Sequence, residues 1–278
     1  MADQTEPVHF FDLTSALEGP RQSWSPNTLK TRAILNYKGI KYTQSWISYP
    51  DIAPISKALE IPANLSGTVY YTLPAIVHKA SVSSNPHGAM HDSFPIALHL
   101  DKAFPAPEYP SIFPNGQASI ALAIATEKLL TASVAKFVRM LFAGVSGILD
   151  DRGKEYFSDT RLPRFQTRYP DIQSMAELRP ASQEECDTIV ADTNKELQIF
   201  STLLEGQAQN AGPFLEGEKP AYADFVLAAY LAWYERSNPE VFDALLESSN
   251  GLLRKHWEAS QPFINGQGVT IDWAVPKP

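Results

Sequence analysis

The feature that most constrains this chain is a proline-rich stretch, FPAPEYPSIFPNG, at residues 104–116. Four prolines within ten positions cannot lie inside a helix or a central strand, because proline lacks the N–H that both elements need. The pattern of apolar residues also differs on the two sides of this stretch. The sequence therefore predicts an interdomain linker at residues 105–116 that joins two domains of different class.

Before the linker, short apolar runs alternate with runs of helical spacing. VHFFDL at 8–13 and LPAIVHK at 73–79 are typical of strands, whereas residues 27–38 have the spacing of an amphipathic helix. The other predicted elements are a strand at 41–48, a helix at 51–60, a short strand near 87–92 and a helix at 93–104. Strand, helix, strand, helix, two strands, helix is the order of a small α/β domain, predicted over residues 1–104.

After the linker the pattern indicates helices alone. Ile, Leu and Val recur three and four residues apart over residues 118–145, and a capping-box pattern at 182–185 predicts the start of another helix. The run ADFVLAAYLAWYER at 223–236 is apolar almost all round, which predicts the central helix of a bundle. We therefore predict an all-α domain over residues 117–278.

Charge and cysteine content exclude several classes of protein. The formal net charge of the 278 residues is -8, so the chain offers no basic stripe for nucleic acid or for an anionic membrane. Its single cysteine cannot form an internal disulfide, and the N-terminus lacks the pattern of a secretory signal. The spacing of His87, His91 and Asp92 matches no metal site, so we expect no metal. We expect a cytoplasmic protein that does not bind membranes.

The segment SWSPNT at residues 23–28 directly precedes the first predicted helix. Ser, Thr and Pro are favoured at helix N-termini, so the residues can simply cap the helix. Alternatively, the helix N-terminus can favour an anion while a hydroxyl donates a hydrogen bond to it. Ser25 and Ser23 are the two candidate hydroxyls.

Two other features stand before regular elements of the first domain. Pro74 follows Leu73 at the start of an apolar strand, where it can lie at a sheet edge or form a cis bond. Asp92 and Ser93 stand before a helix, where they can cap it or bind an ammonium and a carboxylate. Each of these features alone is a weak signal.

Taken in chain order, these residues resemble the glutathione transferases, whose thioredoxin-like domain binds glutathione with the same three devices. Compared with the omega and zeta classes, Ser25 matches the catalytic Cys or Ser and Arg32 matches an arginine of the first helix. The pairs Leu73-Pro74 and Asp92-Ser93 match the glutathione-binding elements. FLEGEKPAYADFVLA at 214–228 resembles the start of the family's central C-terminal helix, with Ala221 in place of the usual capping hydroxyl.

Within the family, residues 24–52 are similar to the fungal etherase-related transferases, the FuA class. This resemblance implies a thioredoxin-like α/β domain followed by an all-α domain, and a homodimer that uses glutathione as co-substrate. It implies that Ser25 activates the glutathione thiolate, with Ser23 as the competing residue and Asn27 as a second polar contact. Leu73, Pro74, Asp92 and Ser93 would bind the rest of glutathione.

The same resemblance implies attack on an aromatic or otherwise hydrophobic electrophile, such as a β-aryl ether. We expect the loop from Thr14 to Trp24 to overhang the electrophile pocket, with Trp24 as a flat wall; it can instead be a solvated loop with one anchoring aromatic. Phe137 and Phe142 are candidates for the opposite wall, although aromatics at helical spacing more often lie in the core. The alternative function is a binding protein with little turnover that carries aromatic compounds or a protein partner.

Overall fold

The computed structural model of this chain describes residues 6–65, 69–208, 212–247 and 250–276. The chain forms two compact units. One contains the residues up to Ile112 together with those from Phe263 onwards, and the other is Phe113–Pro262. The boundary after Ile112 lies within the proline-rich stretch.

The first unit is built on a mixed five-stranded sheet of order β4-β3-β1-β2-β5. Its strands are β1 (Val8–Leu13), β2 (Tyr42–Ile47), β3 (Ala75–Val77), β4 (Ala89–His91) and β5 (Val269–Thr270). β2 runs parallel to β1, whereas β3 is antiparallel to both β1 and β4. All six residues of β1 are buried, which accounts for its nearly unbroken apolar run at the centre of the sheet.

Three helices complete the α/β part of this unit: α1 (Pro26–Lys38), α2 (Ile52–Ala58) and α3 (Ser93–Ala103). α1 ends at Gly39, which has a φ of 66° and so occupies the left-handed region that glycine adopts without steric cost. Strands and helices follow in the predicted order. The predicted thioredoxin-like α/β class of the N-terminal domain is therefore confirmed.

The second unit is helical. Its helices are α4 (Gln117–Ile148), α5 (Asp151–Gln166), α6 (Gln183–Ala208), α7 (Tyr222–Ser237), α8 (Pro239–Glu247) and most of α9 (Leu252–Asn265). α7 is buried along almost its whole length and packs against α4. The prediction of a central helix in an all-α domain is confirmed, because a helix that is apolar on every face must be enclosed.

A buried carboxylate holds the start of α7. Asp224 Oδ2 accepts a hydrogen bond from the N–H of Ala221 at 2.9 Å, and Oδ1 accepts one from the N–H of Leu215 at 2.7 Å. His256 Nε2 lies 3.1 Å from the same Oδ1. Because Ala221 has no side-chain acceptor, the carboxylate of Asp224 is the side chain that caps this end of the helix.

The last segment of the chain corrects the predicted domain boundary. The sequence pattern predicts that residues 263–278 belong to the helical domain, whereas the structure places the described chain from Phe263 onwards in the first unit. There β5 extends the sheet beside β2. A Cβ added at Gly266 would lie 2.5 Å from the Asn36 side chain, so the tail approaches α1 more closely than another residue would allow. A two-residue strand carries too little periodicity to be predicted from sequence.

Within the described residues, α4 is the one helix long and apolar enough to cross a membrane. Half of its most apolar window is buried inside the protein. A buried core helix of a globular protein has the same length and composition.

Candidate active site

The sheet brings the three segments that the sequence singles out, around Ser25, Leu73-Pro74 and Asp92-Ser93, to one of its ends. Phe11 of β1 pairs with Ala75 of β3, and Ala75 pairs with His91 of β4. Because β3 is antiparallel to its neighbours, the residues before β3 lie at the same end of the sheet as the residues after β1 and β4. Leu73-Pro74 and Asp92-Ser93 therefore share the end from which the chain leads into α1.

Ser25 occupies the N-cap position of α1. Its carbonyl accepts the first helical hydrogen bond, from the N–H of Leu29 at 3.0 Å, while Pro26 occupies the first helical position. Its hydroxyl makes no capping bond within the part of the chain that the structure describes, and the residue is 5% exposed. The first turn of α1 carries no acidic side chain, so nothing in that turn offsets the positive end of the helix dipole.

Ser23 has a different environment, although it stands only two positions earlier. It is completely buried, and its Oγ donates a hydrogen bond of 2.5 Å to Oδ2 of Asp12. Its hydroxyl proton is thus already bound to a carboxylate. Of the two candidate serines, Ser25 is the one with a hydroxyl left for another partner.

Asp12 connects the end of β1 to α1 and to the segment before Ser25. Arg32 donates to Oδ2 of Asp12 from Nη2 at 2.8 Å and from Nε at 3.2 Å, and both side chains are fully buried. Oδ1 of Asp12 accepts the N–H of Leu13 at 2.7 Å. The carboxylate therefore fixes the segment that contains Ser23 against α1.

The role of Asp12 was missed by sequence reasoning. Arg32 was identified only by its match to the family, and no partner was predicted for it. The available signal was a single carboxylate near the end of a mostly apolar strand, because a buried carboxylate needs a cation or several hydrogen-bond donors to be stable. The guanidinium of Arg32 is also enclosed by two rings, 5.3 Å from the centroid of Phe10 and 5.2 Å from that of Trp46.

The Leu73–Pro74 peptide bond is cis. The carbonyl of Pro74 accepts the N–H of Asp92 at 3.1 Å, which joins this segment to the start of α3. Leu73 precedes Ala75, the first paired residue of β3, so its N–H and C=O lie outside the strand ladder.

Asp92 and Ser93 begin α3. Asp92 has a φ of 73°, a conformation that L residues rarely adopt and that costs about 1–3 kcal/mol. Its carbonyl accepts the N–H of Ile96 at 3.0 Å, but its exposed carboxylate caps no N–H among the described residues. Ser93 is buried at the first helical position, and α3 has no acidic residue in its first turn. Asn27, the remaining polar candidate, is exposed in the first turn of α1.

Trp24 holds the preceding loop closed. Its Nε1 donates to the carbonyl of Thr14 at 3.1 Å, and its ring is tilted against that of Tyr49 at 6.3 Å. The loop has further internal bonds, including one from Ser15 Oγ to the carbonyl of Gln22 at 2.9 Å. With only 3% of its surface exposed, Trp24 matches the anchoring aromatic rather than the flat pocket wall.

The two candidate phenylalanines lie in the helical unit. Phe137 is fully buried and packs edge-on against Tyr234, with ring centroids 5.2 Å apart. The expectation that it lines a pocket is therefore corrected, because its apolar position on α4 faces the core around α7. Phe142 is half-buried and packs against Phe157 and Phe165, at 5.5 and 5.0 Å.

Two family models match this chain. Residues 24–103 match the glutathione S-transferase N-terminal domain, and residues 121–270 match the glutathione S-transferase C-terminal domain. The chain is also 45% identical over 276 residues to the glutathione S-transferase-like protein ustS of Aspergillus flavus, covering 99% of this chain and 97% of that protein. The chain belongs to the glutathione S-transferase family.

Solved structures of fungal transferases share this fold. Glutathione transferase GSTFuA3 from Phanerochaete chrysosporium is 27% identical with a TM-score of 0.75, covering 93% of this chain and 97% of that one. The transferase CsGST63524 of Ceriporiopsis subvermispora, solved in complex with glutathione, is 24% identical with a TM-score of 0.77, covering 93% and 98%. The similarity to GSTFuA3 confirms the resemblance to the FuA class.

Proposed function

We propose that this member of the family is a glutathione transferase of the serine type. Glutathione is its co-substrate, and the Ser25 hydroxyl donates a hydrogen bond to the thiolate that attacks a hydrophobic or aromatic electrophile. The observation that carries the proposal is the contrast between two neighbouring serines. Ser23 is bound to Asp12, whereas the hydroxyl of Ser25 makes no capping bond at the N-terminus of α1 to any residue that the structure describes.

The energies are sufficient for this role. A free thiol has a pKa of about 8.5, and lowering it by two units requires about 2.7 kcal/mol. A hydrogen bond to a charged group contributes about 1.5–3 kcal/mol, and a helix N-terminus contributes about 0.3–1 kcal/mol. Ser25 and the N-terminus of α1 together therefore suffice.

The same sheet end supplies groups for the rest of glutathione. The Asp92 carboxylate suits the γ-glutamyl ammonium, while the Ser93 hydroxyl and the N-terminus of α3 suit its carboxylate. The N–H and C=O of Leu73 suit the peptide backbone of glutathione, and Asn27 provides a second polar group near the sulfur. The bond from Asp92 N–H to Pro74 carbonyl keeps two of these segments in register. Family resemblance adds the proposals of a homodimer and a cytoplasmic location.

A pH titration of thiolate absorbance with glutathione bound tests the role of Ser25. Because Ser25→Ala removes one charged hydrogen bond, we expect the pKa of the bound thiol to rise by about one to two units, with a matching loss of conjugation near neutral pH. Ser25→Cys should instead attack mixed disulfides, because a thiol at a helix N-terminus ionises readily. Ser23→Ala, two residues away, is the matched control.

An unchanged thiol pKa in Ser25→Ala would remove this residue from the chemistry. If wild-type protein then bound glutathione but turned over none of a panel of thiol-reactive electrophiles, it would act as a glutathione-dependent binding protein for aromatic compounds. A shift in Ser23→Ala alone would mean that the wrong hydroxyl has been named.

A further inference from the structure

The segment that follows β5 crosses one face of the sheet. β5 pairs with β2 at Val269 and Thr43, and Thr43 pairs in turn with His9 of β1. Trp273, which follows β5 in the chain, stacks on the imidazole of His9 with ring centroids 4.6 Å apart and planes at 27°. It also meets the ring of Phe11 edge-on, at 4.8 Å. The chain therefore leaves the sheet edge after β5 and bends over β1.

Hydrogen bonds to β2 and the ring of Trp273 hold residues 269–273, which we call the C-terminal strap. The N–H of Ile271 donates to the carbonyl of Gln44 at 2.9 Å, and Ser45 Oγ donates to the carbonyl of Ile271 at 2.7 Å. Trp273 is half-buried, whereas the other residues of the strap are exposed. A segment with little buried apolar surface opens locally at a low free energy. Trp273 is therefore the main apolar anchor of the strap.

His9 is enclosed beneath the indole of Trp273. The histidine is 5% exposed, and its Nδ1 lies 2.8 Å from Oγ1 of Thr43. Its Nε2 is buried and has no hydrogen-bond partner among the residues that the structure describes. A neutral imidazole carries one N–H, which Thr43 can accept, whereas a protonated imidazole carries two. Protonation would bury a charged N–H without an acceptor, and the attraction of the cation to the indole face offsets only part of that cost.

Charged groups around His9 do not stabilise its protonated form. Burial lowers the pKa of His9 to about 4, and no charged group of the described residues contributes to the shift. Asp12 and Tyr42 contact Arg32 on the opposite face of the sheet. His78, after β3, is bound to Ser81. The other titratable groups on the segments around His9 are exposed, namely Glu6, Lys41, Lys79 and Asp272.

These contacts make docking of the strap depend on pH. Release of Trp273 would expose His9 to water and return its pKa to about 6.5, the ordinary value for histidine. Because the docked state disfavours the cation, docking has its full strength above about pH 6.5, weakens as the pH falls to about 4, and is constant below that. Between pH 7.5 and pH 5.0 the equilibrium constant for docking should fall about thirtyfold.

We propose that the C-terminal strap is a pH-sensitive device: stacking of Trp273 on neutral His9 holds it on the sheet, and protonation of His9 releases it. Release uncovers the edge of β2 and the ring of Phe11. The device acts through the chain's own C-terminal segment, so it does not depend on the role proposed for Ser25.

Amide hydrogen exchange of the full-length protein at pH 7.5 and pH 5.0 tests the proposal. Exchange rates are divided by the intrinsic rates of unfolded peptides at the same pH, which gives a protection factor for each amide. The protection factor of the Ile271 N–H should fall about thirtyfold from the higher to the lower pH. The amides of β1 should keep their protection, which separates opening of the strap from unfolding of the whole unit.

Two variants identify the group that responds to pH. His9→Gln cannot be protonated in this range, so the protection factor of Ile271 should differ by less than about threefold between the two pH values. His87→Gln is the matched control, because the side chain of His87 is 41% exposed, and it should keep the thirtyfold fall. Trp273→Ala should lose strap protection at both pH values and raise the pKa of His9 towards about 6.5, measured from its imidazole resonances.

A wild-type strap with the same protection at both pH values would overturn the proposal, as would a pH-dependent fall that persists in His9→Gln. Equal losses of protection in β1 and in the strap would also overturn it, because acid would then unfold the whole unit. If His9→Gln does not fold, Trp273→Ala decides alone: an unchanged pKa of His9 in that variant would show that the strap does not control the protonation of the imidazole.

Discussion

Helix N-termini in the two units use their polar side chains differently. In the helical unit, Asp150 accepts the N–H of Gly153 at 3.3 Å to cap α5, and Asp224 accepts the N–H of Ala221 to hold the start of α7. In the α/β unit, neither Ser25 nor Asp92 caps the helix that it precedes, as far as the described residues show. A side chain that caps stabilises the fold, whereas one that leaves the helix end open can serve a ligand.

Asp224→Ala should have the largest effect on stability. It leaves two buried N–H groups and the buried imidazole of His256 without their acceptor, and each unsatisfied group costs about 1–3 kcal/mol. We expect the free energy of unfolding in urea to fall by about 3 kcal/mol or more. Asp243→Ala is the matched control, because that carboxylate is 81% exposed and pairs with Arg254 at the surface. Its loss should cost at most about 1 kcal/mol.

If the two aspartate variants lost the same free energy of unfolding, the conclusion that the Asp224 carboxylate stabilises the start of α7 would be wrong. If instead Asp224→Ala lowered glutathione affinity without lowering stability, the carboxylate would belong to a ligand site.

The second largest effect is expected at the two serines before α1, whose alanine variants should differ in their free energy of unfolding. Ser23→Ala removes a buried hydrogen bond to the carboxylate of Asp12, so we expect the free energy of unfolding to fall by about 1.5–3 kcal/mol. Ser25→Ala removes a hydroxyl that makes no capping bond to the described residues, and its cost should stay below about 0.5 kcal/mol. Urea denaturation of the two variants, without glutathione, measures the difference. A larger cost for Ser25→Ala would show that its hydroxyl does stabilise the helix end.

Asp92→Gly should change the free energy of unfolding only slightly and should separate stability from binding. Glycine adopts the φ of 73° without steric cost, so the relief of strain offsets the added freedom of the unfolded chain and stability should change by less than about 1 kcal/mol. Retention on glutathione resin should nevertheless be lost, because the variant lacks the carboxylate that we propose pairs with the γ-glutamyl ammonium.

Asp92→Asn is the control for this variant, since it keeps the side-chain shape and removes only the charge. It should also lose glutathione binding. Unchanged calorimetric affinity in both variants would place the γ-glutamyl site elsewhere.

The sequence by itself determined the order of the strands and helices from β1 to α3, the class of both units and the polar residues at the carboxyl end of β1. Hydrophobic periodicity and N-terminal helix signals are local, so they can be interpreted within ten to twenty residues. The motif around Ser25, Pro74 and Asp92 also identified the family. The bias of α7 towards apolar residues on every face was enough to place it at the centre of its unit.

Only the tertiary structure decided which of the two serines is bound to Asp12 and which makes no capping bond to the described residues. That distinction depends on Asp12 and Arg32, which stand twenty positions apart and meet because β1 and α1 pack together. The packing of the C-terminal segment on the first unit likewise depends on residues far away in the chain. Arg32 Nη1 donates a hydrogen bond to the carbonyl of Gly266 at 3.0 Å, and Asn36 Nδ2 donates one to the carbonyl of Phe263 at 2.6 Å. Such bonds join residues that are far apart in the chain, so no local sequence pattern predicts them. The sequence shows that a hydroxyl, an amide or a carbonyl is present, but only the folded chain shows whether that group has a hydrogen-bond partner.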